Sequence, residues 1–184
     1  GFAYCDAGVQ VALGLLALTG YGDVPVSCWT EKPLLGDNAP PAEWRTDMAA
    51  AEALGLPAGG EPSELNAVEL FTTTLENSPE KMTVLALGPL TNVGAALDAN
   101  PALVDKIEMI YVMGGAVDVP GSGVTDENTT AEWNIYCDPH AARLTFESGA
   151  PITLVGLDAT NEVPVTVDFM KKLEANQTTP EAQF

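Results

Sequence analysis

The chain has 184 residues, of which 46% are apolar and 18% are charged, and this composition predicts a packed globular domain instead of a disordered chain. Its net charge is −19, so its surface repels phosphate backbones, which argues against nucleic acid as a partner. No apolar run reaches the roughly 18 residues that a membrane span needs, so no membrane segment is predicted.

The first part of the chain predicts two helices, a short strand and a long loop. The apolar pattern of residues 8–19 predicts a helix that ends near Gly20, and "VPVSCW" (24–29) predicts a short strand. Residues 30–48 are rich in Pro, Gly and Asp and predict a long loop of the kind that often forms a functional lid. Ser63 is the predicted N-cap of a helix that runs to about Asn77.

The second part alternates apolar runs with helices. Three continuous apolar runs predict strands that are buried on both faces: residues 82–87, 106–113 and 151–157. A helix follows "GPLTN", with Thr91 or Asn92 near its cap, and Asp138-Pro139 starts another that ends at Gly149. The alternation predicts an α/β fold, an open and mostly parallel Rossmann-like sheet with helices on both faces, as a single domain over residues 1–184.

Both ends and the cysteines give further expectations. The chain opens on Gly1 without an initiator Met, and Thr179-Pro180 near its end predicts the start of a helix, so we expect an interior fragment of a longer protein. Three widely spaced cysteines without a CxxC pair favour reduced thiols in a cytoplasmic protein: Cys5, Cys28 and Cys137.

Polar and glycine-rich segments follow the predicted strands. In open parallel sheets, ligands bind beyond the carboxyl ends of the strands. "GPLTN", "MGG" and "DATN" follow the three strands in turn, and Gly88, Gly114 and Gly115 would let the backbone approach a ligand closely. The joint placement of these segments predicts a binding site on this edge of the sheet.

The segment "EWN" offers two hydroxyl-binding side chains. On an extended segment, Glu132 and Asn134 would point the same way, while Trp133 would point into the core. A carboxylate beside an amide suits vicinal hydroxyls. The alternative is a pair that only stabilises its own loop through bonds to nearby backbone.

Four motifs together resemble the inosine/uridine-preferring nucleoside hydrolase family. They are "VLALGPLTNVGAAL", "YVMGGAVDVPG", "NTTAEWNIYCDPHAA" and "GAPITLVGLDATNEVPVT", in the family's order and spacing over roughly residues 80–168. The resemblance implies a Ca²⁺-dependent hydrolase of the N-glycosidic bond of ribonucleosides, in which calcium holds ribose hydroxyls and the attacking water. It further implies a homo-oligomer, a dimer or a tetramer, for the full-length protein.

The resemblance also implies roles for individual residues. Thr91 would give its backbone carbonyl to calcium, and Met113 would pack against the sugar. Glu132 and Asn134 would bind ribose hydroxyls, with Asn128 beside them. The family's upstream Asn lies six residues before the Glu, where this chain has Ser122 in a longer loop, so either Asn128 or Ser122 takes that place.

Several family elements depart from the pattern or lie outside the chain. The Asp-rich motif with the general base would precede Gly1, and the His-Asp pair would follow Phe184. His140 is interpreted as a surface residue, and "PAEWRTDM" stands where many members carry a His-Gly element. We therefore expect no catalytic residue within this chain and no activity from it alone.

Two other functions compete with the hydrolase. A non-catalytic nucleoside- or sugar-binding module of the same fold would keep the binding edge without the chemistry. A Rossmann-type cofactor domain is disfavoured, because "GGAVDVPGSG" lacks the GxGxxG turn that runs from strand into helix.

Overall fold

The computed structural model describes residues 3–49, 55–122 and 128–183, which form two compact units. The first, here called the sheet unit, contains residues 29–40 and 65–162. The second unit contains residues 2–28, 41–64 and 163–184. The single domain over residues 1–184 stays a prediction.

From residue 67 onward, the described elements alternate between helix and strand as the sequence predicts, whereas the first part of the chain departs from the prediction. In chain order they are α1 (Cys5–Leu18), α2 (Ala42–Ala49), α3 (Ala67–Asn77), β1 (Met82–Ala86), α4 (Thr91–Ala99), a 3₁₀-helix (Pro101–Lys106), β2 (Ile107–Met113), α5 (Trp133–Cys137), α6 (Pro139–Glu147), β3 (Ile152–Val155), α7 (Leu157–Thr160), α8 (Val167–Glu174) and α9 (Pro180–Gln183). The predicted helix at 8–19 is confirmed as α1, and α9 begins at Pro180 as expected.

The three strands form one parallel sheet in the order β1-β2-β3. Ala86 pairs with Val112, which in turn pairs with Leu154, so the three strands end at the same edge. The α/β class with a parallel sheet is thereby confirmed. Each strand is followed by a helix, which is the connection that parallel strands require.

The core lies on one face of the sheet. Val84, Ile110 and Val112 pack there against apolar side chains of α3, α4 and α6. On the other face, Leu85 is 65% exposed and Tyr111 is 41% exposed. Among the described residues, the strands are therefore buried on one face and exposed on the other, so the prediction that they are buried on both faces is wrong. The alternating burial along β1 gives the same result.

Helices α4 and α6 touch through their backbones. A Cβ atom on Gly94 of α4 would lie 2.6 Å from the carbonyl oxygen of Ala141 in α6. Real Cβ atoms are not found that close to another heavy atom, so only glycine fits at this crossing. The tight contact brings the start of α4 and the start of α6 into one rigid layer.

Two helix starts test the predicted caps. The predicted cap at Ser63 is wrong, because α3 begins at Ala67 with Asn66 as its N-cap. Asn66 accepts from the backbone N–H groups of Val68 and Glu69, and the Glu69 side chain accepts from the Asn66 N–H, which forms a capping box. The cap at Asp138 is confirmed by its bond from the N–H of Ala141.

The second unit corrects two further expectations. Residues 24–29 form no strand; this segment accepts one backbone bond, from Ser63 N–H to Val26 O, and Pro25 has no N–H to give to a ladder. Cys5 and Cys28 form a disulfide, so the expectation of reduced thiols is wrong for this pair. Cys137 is a buried thiol. No helix in the described ranges is long and apolar enough to cross a membrane.

Candidate functional site

The carboxyl ends of the strands are joined by hydrogen bonds into one edge. The side-chain amide of Asn134 donates to Met113 O at 3.0 Å and approaches Leu87 O at 3.4 Å, so it links the ends of β1 and β2. Gly114 N–H donates to Val155 O at 3.1 Å, which links the ends of β2 and β3. The polar segments that follow the strands therefore do meet at one edge.

Glu132 is the N-cap of α5 and is 3% exposed. Its Oε1 accepts the N–H of Asn134 at 2.9 Å. Its Oε2 accepts the N–H groups of Ile135 and Gly115, both at 3.1 Å. The carboxylate thus caps the start of α5 and also binds the segment that follows β2. A carboxylate has about four acceptor positions, and these bonds use three of them.

The orientation that we predicted for this segment is wrong. Residues from Trp133 onward form the short helix α5, so Glu132 and Asn134 do not alternate with Trp133 as they would on an extended segment. Trp133 is buried, as expected, and packs on Tyr136 with ring centroids 5.6 Å apart. Asn134 is also buried, at 7% exposure. Its Oδ1 receives no hydrogen bond from the described residues and stays open to a ligand.

Asn128 and Ser122 both support the segment before α5. Asn128 accepts from the N–H of Ala131 and donates to its carbonyl oxygen, each at 2.9 Å. Ser122 Oγ accepts the N–H of Trp133 at 2.9 Å, and Ser122 N–H donates to Ala131 O. Both residues therefore hold backbone, and Asn128 as a ribose ligand stays a prediction. Residues 123–127, which join them, lie outside the described ranges.

Asp158 belongs to this edge; its segment "DATN" was predicted to lie there, but the residue itself was not among the predicted site residues. It lies in α7, directly after β3, and its carboxylate accepts from Val117 N–H at 3.0 Å and Asp118 N–H at 2.8 Å. These two bonds, first that from Val117, lower the pKa of Asp158 below its ordinary value of 3.8. The only signal in the sequence is an acidic residue soon after a strand end.

Thr91 lies shortly after β1 in the chain. It is the first residue of α4 and lines a small cleft with Pro89, Cys137 and the 30–40 loop. Within the described part of the chain, no hydrogen bond connects Thr91 to Glu132 or Asn134. No group of three or more His, Cys, Asp or Glu residues in that part could hold a metal ion.

We expected residues 30–48 to form a lid loop, but helix α2 begins within this stretch at Ala42, so the loop prediction is wrong for its second half. The remaining stretch, residues 30–40, is hydrogen-bonded to Tyr136 of α5 and to Asp138, the cap of α6. Asp138 Oδ2 accepts the N–H of Leu34 at 2.9 Å, in addition to capping α6 through its other oxygen. Asn38 donates to Tyr136 O at 2.7 Å. These bonds make this stretch part of the sheet unit.

The chain is similar to nucleoside hydrolases along its whole length. It is 36% identical over 174 residues to the pyrimidine-specific ribonucleoside hydrolase RihA of Citrobacter koseri, which covers 92% of this chain and 53% of that protein. The chain therefore spans about half the length of this curated relative.

Solved structures show the same fold. The inosine-uridine preferring nucleoside hydrolase of Bacillus anthracis superposes with a TM-score of 0.83 at 26% identity, over 96% of this chain and 60% of that one. The purine-preferring ribonucleoside hydrolase of Gardnerella vaginalis gives 0.78 at 27% identity, over 92% and 54%. The family model for inosine-uridine preferring nucleoside hydrolases matches residues 1–184. This chain belongs to the inosine-uridine preferring nucleoside hydrolase family.

Proposed function

We propose that the whole protein hydrolyses the N-glycosidic bond of ribonucleosides, and that this chain supplies the wall that holds the ribose. The supporting observation is the Glu132–Asn134 pair at the ends of β1 and β2. Glu132 uses three of its about four acceptor positions and Asn134 Oδ1 accepts no bond from the described residues, so the pair would offer two acceptors to vicinal hydroxyls. Met113, whose carbonyl holds Asn134, would pack against the sugar.

The reaction breaks the bond between C1′ and the base nitrogen. The bonding electrons leave with the base, a water oxygen bonds to C1′, and a proton reaches the base, which gives ribose and free base. Positive charge builds on the sugar ring in the transition state, and hydrogen bonds to ring hydroxyls can strengthen there. Glu132 and Asn134 would therefore stabilise the transition state more than the bound substrate.

Calcium is part of the proposal for the whole protein. When bound, it would hold sugar hydroxyls and supply an activated water. Calcium takes about six to eight oxygen ligands, whereas Thr91 would give one carbonyl and the described residues contain no acidic cluster. The residues of this chain alone do not fit the ion, so we derive no step through it. We also propose that the general base lies outside the chain and that the chain alone is inactive.

The biological setting is proposed with the activity. The substrate would be a small ribonucleoside, the role nucleoside breakdown and salvage, and the whole protein a homo-oligomer. Relatives are named pyrimidine-specific in one case and purine-preferring in another, so base preference has to be measured. A cytoplasmic location stays a prediction, and the Cys5–Cys28 disulfide weighs against it because disulfides are rare in the cytosol.

Hydrolysis of inosine, uridine, cytidine and guanosine by the whole protein tests the activity. Asn134→Ala should lower kcat roughly ten- to a hundredfold, which is the value of one strong hydrogen bond. Asn100→Ala is the matched control, because Asn100 bonds the exposed Glu76 away from the strand ends. Normal turnover by Asn134→Ala would refute the proposal that Asn134 binds the ribose. Nucleoside binding without any hydrolysis would favour the non-catalytic binding module.

A further inference from the structure

The loop that follows β2, residues 114–118, is held by carboxylates on two sides. From α5, Glu132 Oε2 accepts Gly115 N–H at 3.1 Å. From α7, Asp158 accepts Val117 N–H and Asp118 N–H at 3.0 and 2.8 Å. We call this segment the β2 loop. Three of its backbone N–H groups, those of Gly115, Val117 and Asp118, therefore donate to two carboxylates from different parts of the chain.

Backbone contacts restrict the β2 loop further. Leu157 N–H donates to Gly115 O at 2.9 Å. Gly115 has φ +84°, a conformation that side-chain-bearing residues rarely adopt. A Cβ on Gly156 would lie 3.0 Å from the oxygen of Gly115, so the start of α7 passes very close to the loop. The observed arrangement of the loop satisfies all of these contacts at once.

Asp158 does not act as an ordinary helix-terminal acid. It is the second residue of α7, yet Oδ1 and Oδ2 each accept from the loop, about 40 residues earlier in the chain. Ionised acceptors form the stronger class of hydrogen bond. The loop in turn follows Met113, whose carbonyl holds Asn134, and contains Gly115, which is bonded to Glu132.

We propose that Asp158 is a positioning residue for the ribose site: it fixes the β2 loop and so keeps Met113, Glu132 and Asn134 in the arrangement that grips the sugar. This inference rests on the proposed function. Asp158 itself touches backbone and not the sugar, so its loss should leave every sugar-binding side chain present but less well ordered. The loss should then be similar for every base, because the contacts concern the ribose.

The experiment compares Asp158→Asn with Asp98→Asn in the whole protein. Asp98 is an exposed acid at the far end of α4, so this control removes the same charge from the same unit. Calorimetry measures binding of D-ribose and of inosine, steady-state kinetics gives KM and kcat, and hydrogen exchange follows the amides of Val117 and Asp118. An amide in place of the carboxylate can accept with one end only, so one loop N–H loses its partner.

We expect Asp158→Asn to weaken D-ribose binding about tenfold, to raise KM for inosine and uridine by the same factor, and to speed exchange of the one amide that loses its partner. A merely structural role would reduce the amount of folded enzyme and leave KM and ribose affinity unchanged. That result, or unchanged exchange, would overturn the inference.

The measurement of D-ribose and inosine binding distinguishes a failure of this inference from a failure of the proposed hydrolase activity. If the wild-type protein binds ribose without hydrolysing any nucleoside, and Asp158→Asn weakens that binding, the hydrolase proposal fails while the positioning role stands. If the wild-type protein binds neither ribose nor inosine, both fail.

Discussion

Glu132 and Gly115 are joined by a hydrogen bond of 3.1 Å between a buried carboxylate and a backbone N–H of the β2 loop. The same carboxylate starts α5, so one side chain decides where the helix begins and where the loop lies. Substitution of Glu132 should therefore affect both folding and sugar binding, so the replacement residue must be chosen to keep the shape of the side chain.

Glu132→Gln keeps the shape of the side chain and removes its charge. The glutamine NH₂ group must face at least one of the N–H groups that the carboxylate now accepts. The loss of one bond to a buried charged group costs about 1.5–3 kcal/mol, which for a chain of this size lowers Tm by about 3–12 °C. Thermal melts measure the change. Glu147→Gln, which breaks only the exposed pair with Arg143, should shift Tm little.

Trp133→Ala should destabilise the protein without removing a sugar contact. Trp133 is 6% exposed and packs on Tyr136, and truncation of a large buried aromatic costs about 3–5 kcal/mol. Denaturant unfolding gives the free energy, and Trp133→Phe, which keeps an aromatic ring there, should lose less. Equal stability of Trp133→Ala and the wild type would show that this side chain does not contribute to the core.

The hydrogen bonds to Asp158 should survive mild acid. The two backbone hydrogen bonds hold the pKa of the Asp158 carboxyl below its ordinary value of 3.8. The carboxylate and its bonds are therefore present at neutral and mildly acidic pH, and they are lost only as the pH falls through the lowered pKa. The amide resonances of Val117 and Asp118 should stay constant from pH 7 to about 4 and shift only below it. In Asp158→Asn this shift should be absent. A transition near pH 5 in the wild type would contradict the assignment.

The disulfide predicts that fewer thiols of the unfolded chain react before reduction than after it. Unfolded without reductant, the chain should show one reactive thiol, that of Cys137, and after reduction it should show three. Cys5 and Cys28 are 23 residues apart, and closing a loop of that length stabilises a protein by about 3 kcal/mol. Melts with and without reductant measure that effect. Three reactive thiols before reduction would show that the bond does not form in solution.

The strands and the family motifs could be predicted because their signals are local. An apolar run between turn residues marks β1, β2 and β3 wherever the rest of the chain lies. The cap at Asn66 was also available in principle, since Glu69 stands at the capping-box position three residues later. Serine and asparagine are about equally favoured at the N-cap, so residue type alone does not decide between Ser63 and Asn66.

Other features depend on distant parts of the chain and leave little local trace. Whether Glu132 faces backbone or ligand depends on α5, a helix of five residues that is too short to give a periodic pattern. Asp158 meets its partners from about 40 residues away. The pairing of Cys5 with Cys28 likewise requires α1 and the 24–29 segment to be in place first.

Gly94, which has no side chain, has a consequence for how this protein can vary. Its contact with Ala141 sets the spacing between α4 and α6, and these helices begin beside Thr91 and just after α5. Any larger residue at 94 would push the two helices apart and move the segments that they anchor at the edge of the sheet. Residue 94 contacts no substrate in our proposal, yet a redesign of the ribose-binding edge should keep glycine at this crossing.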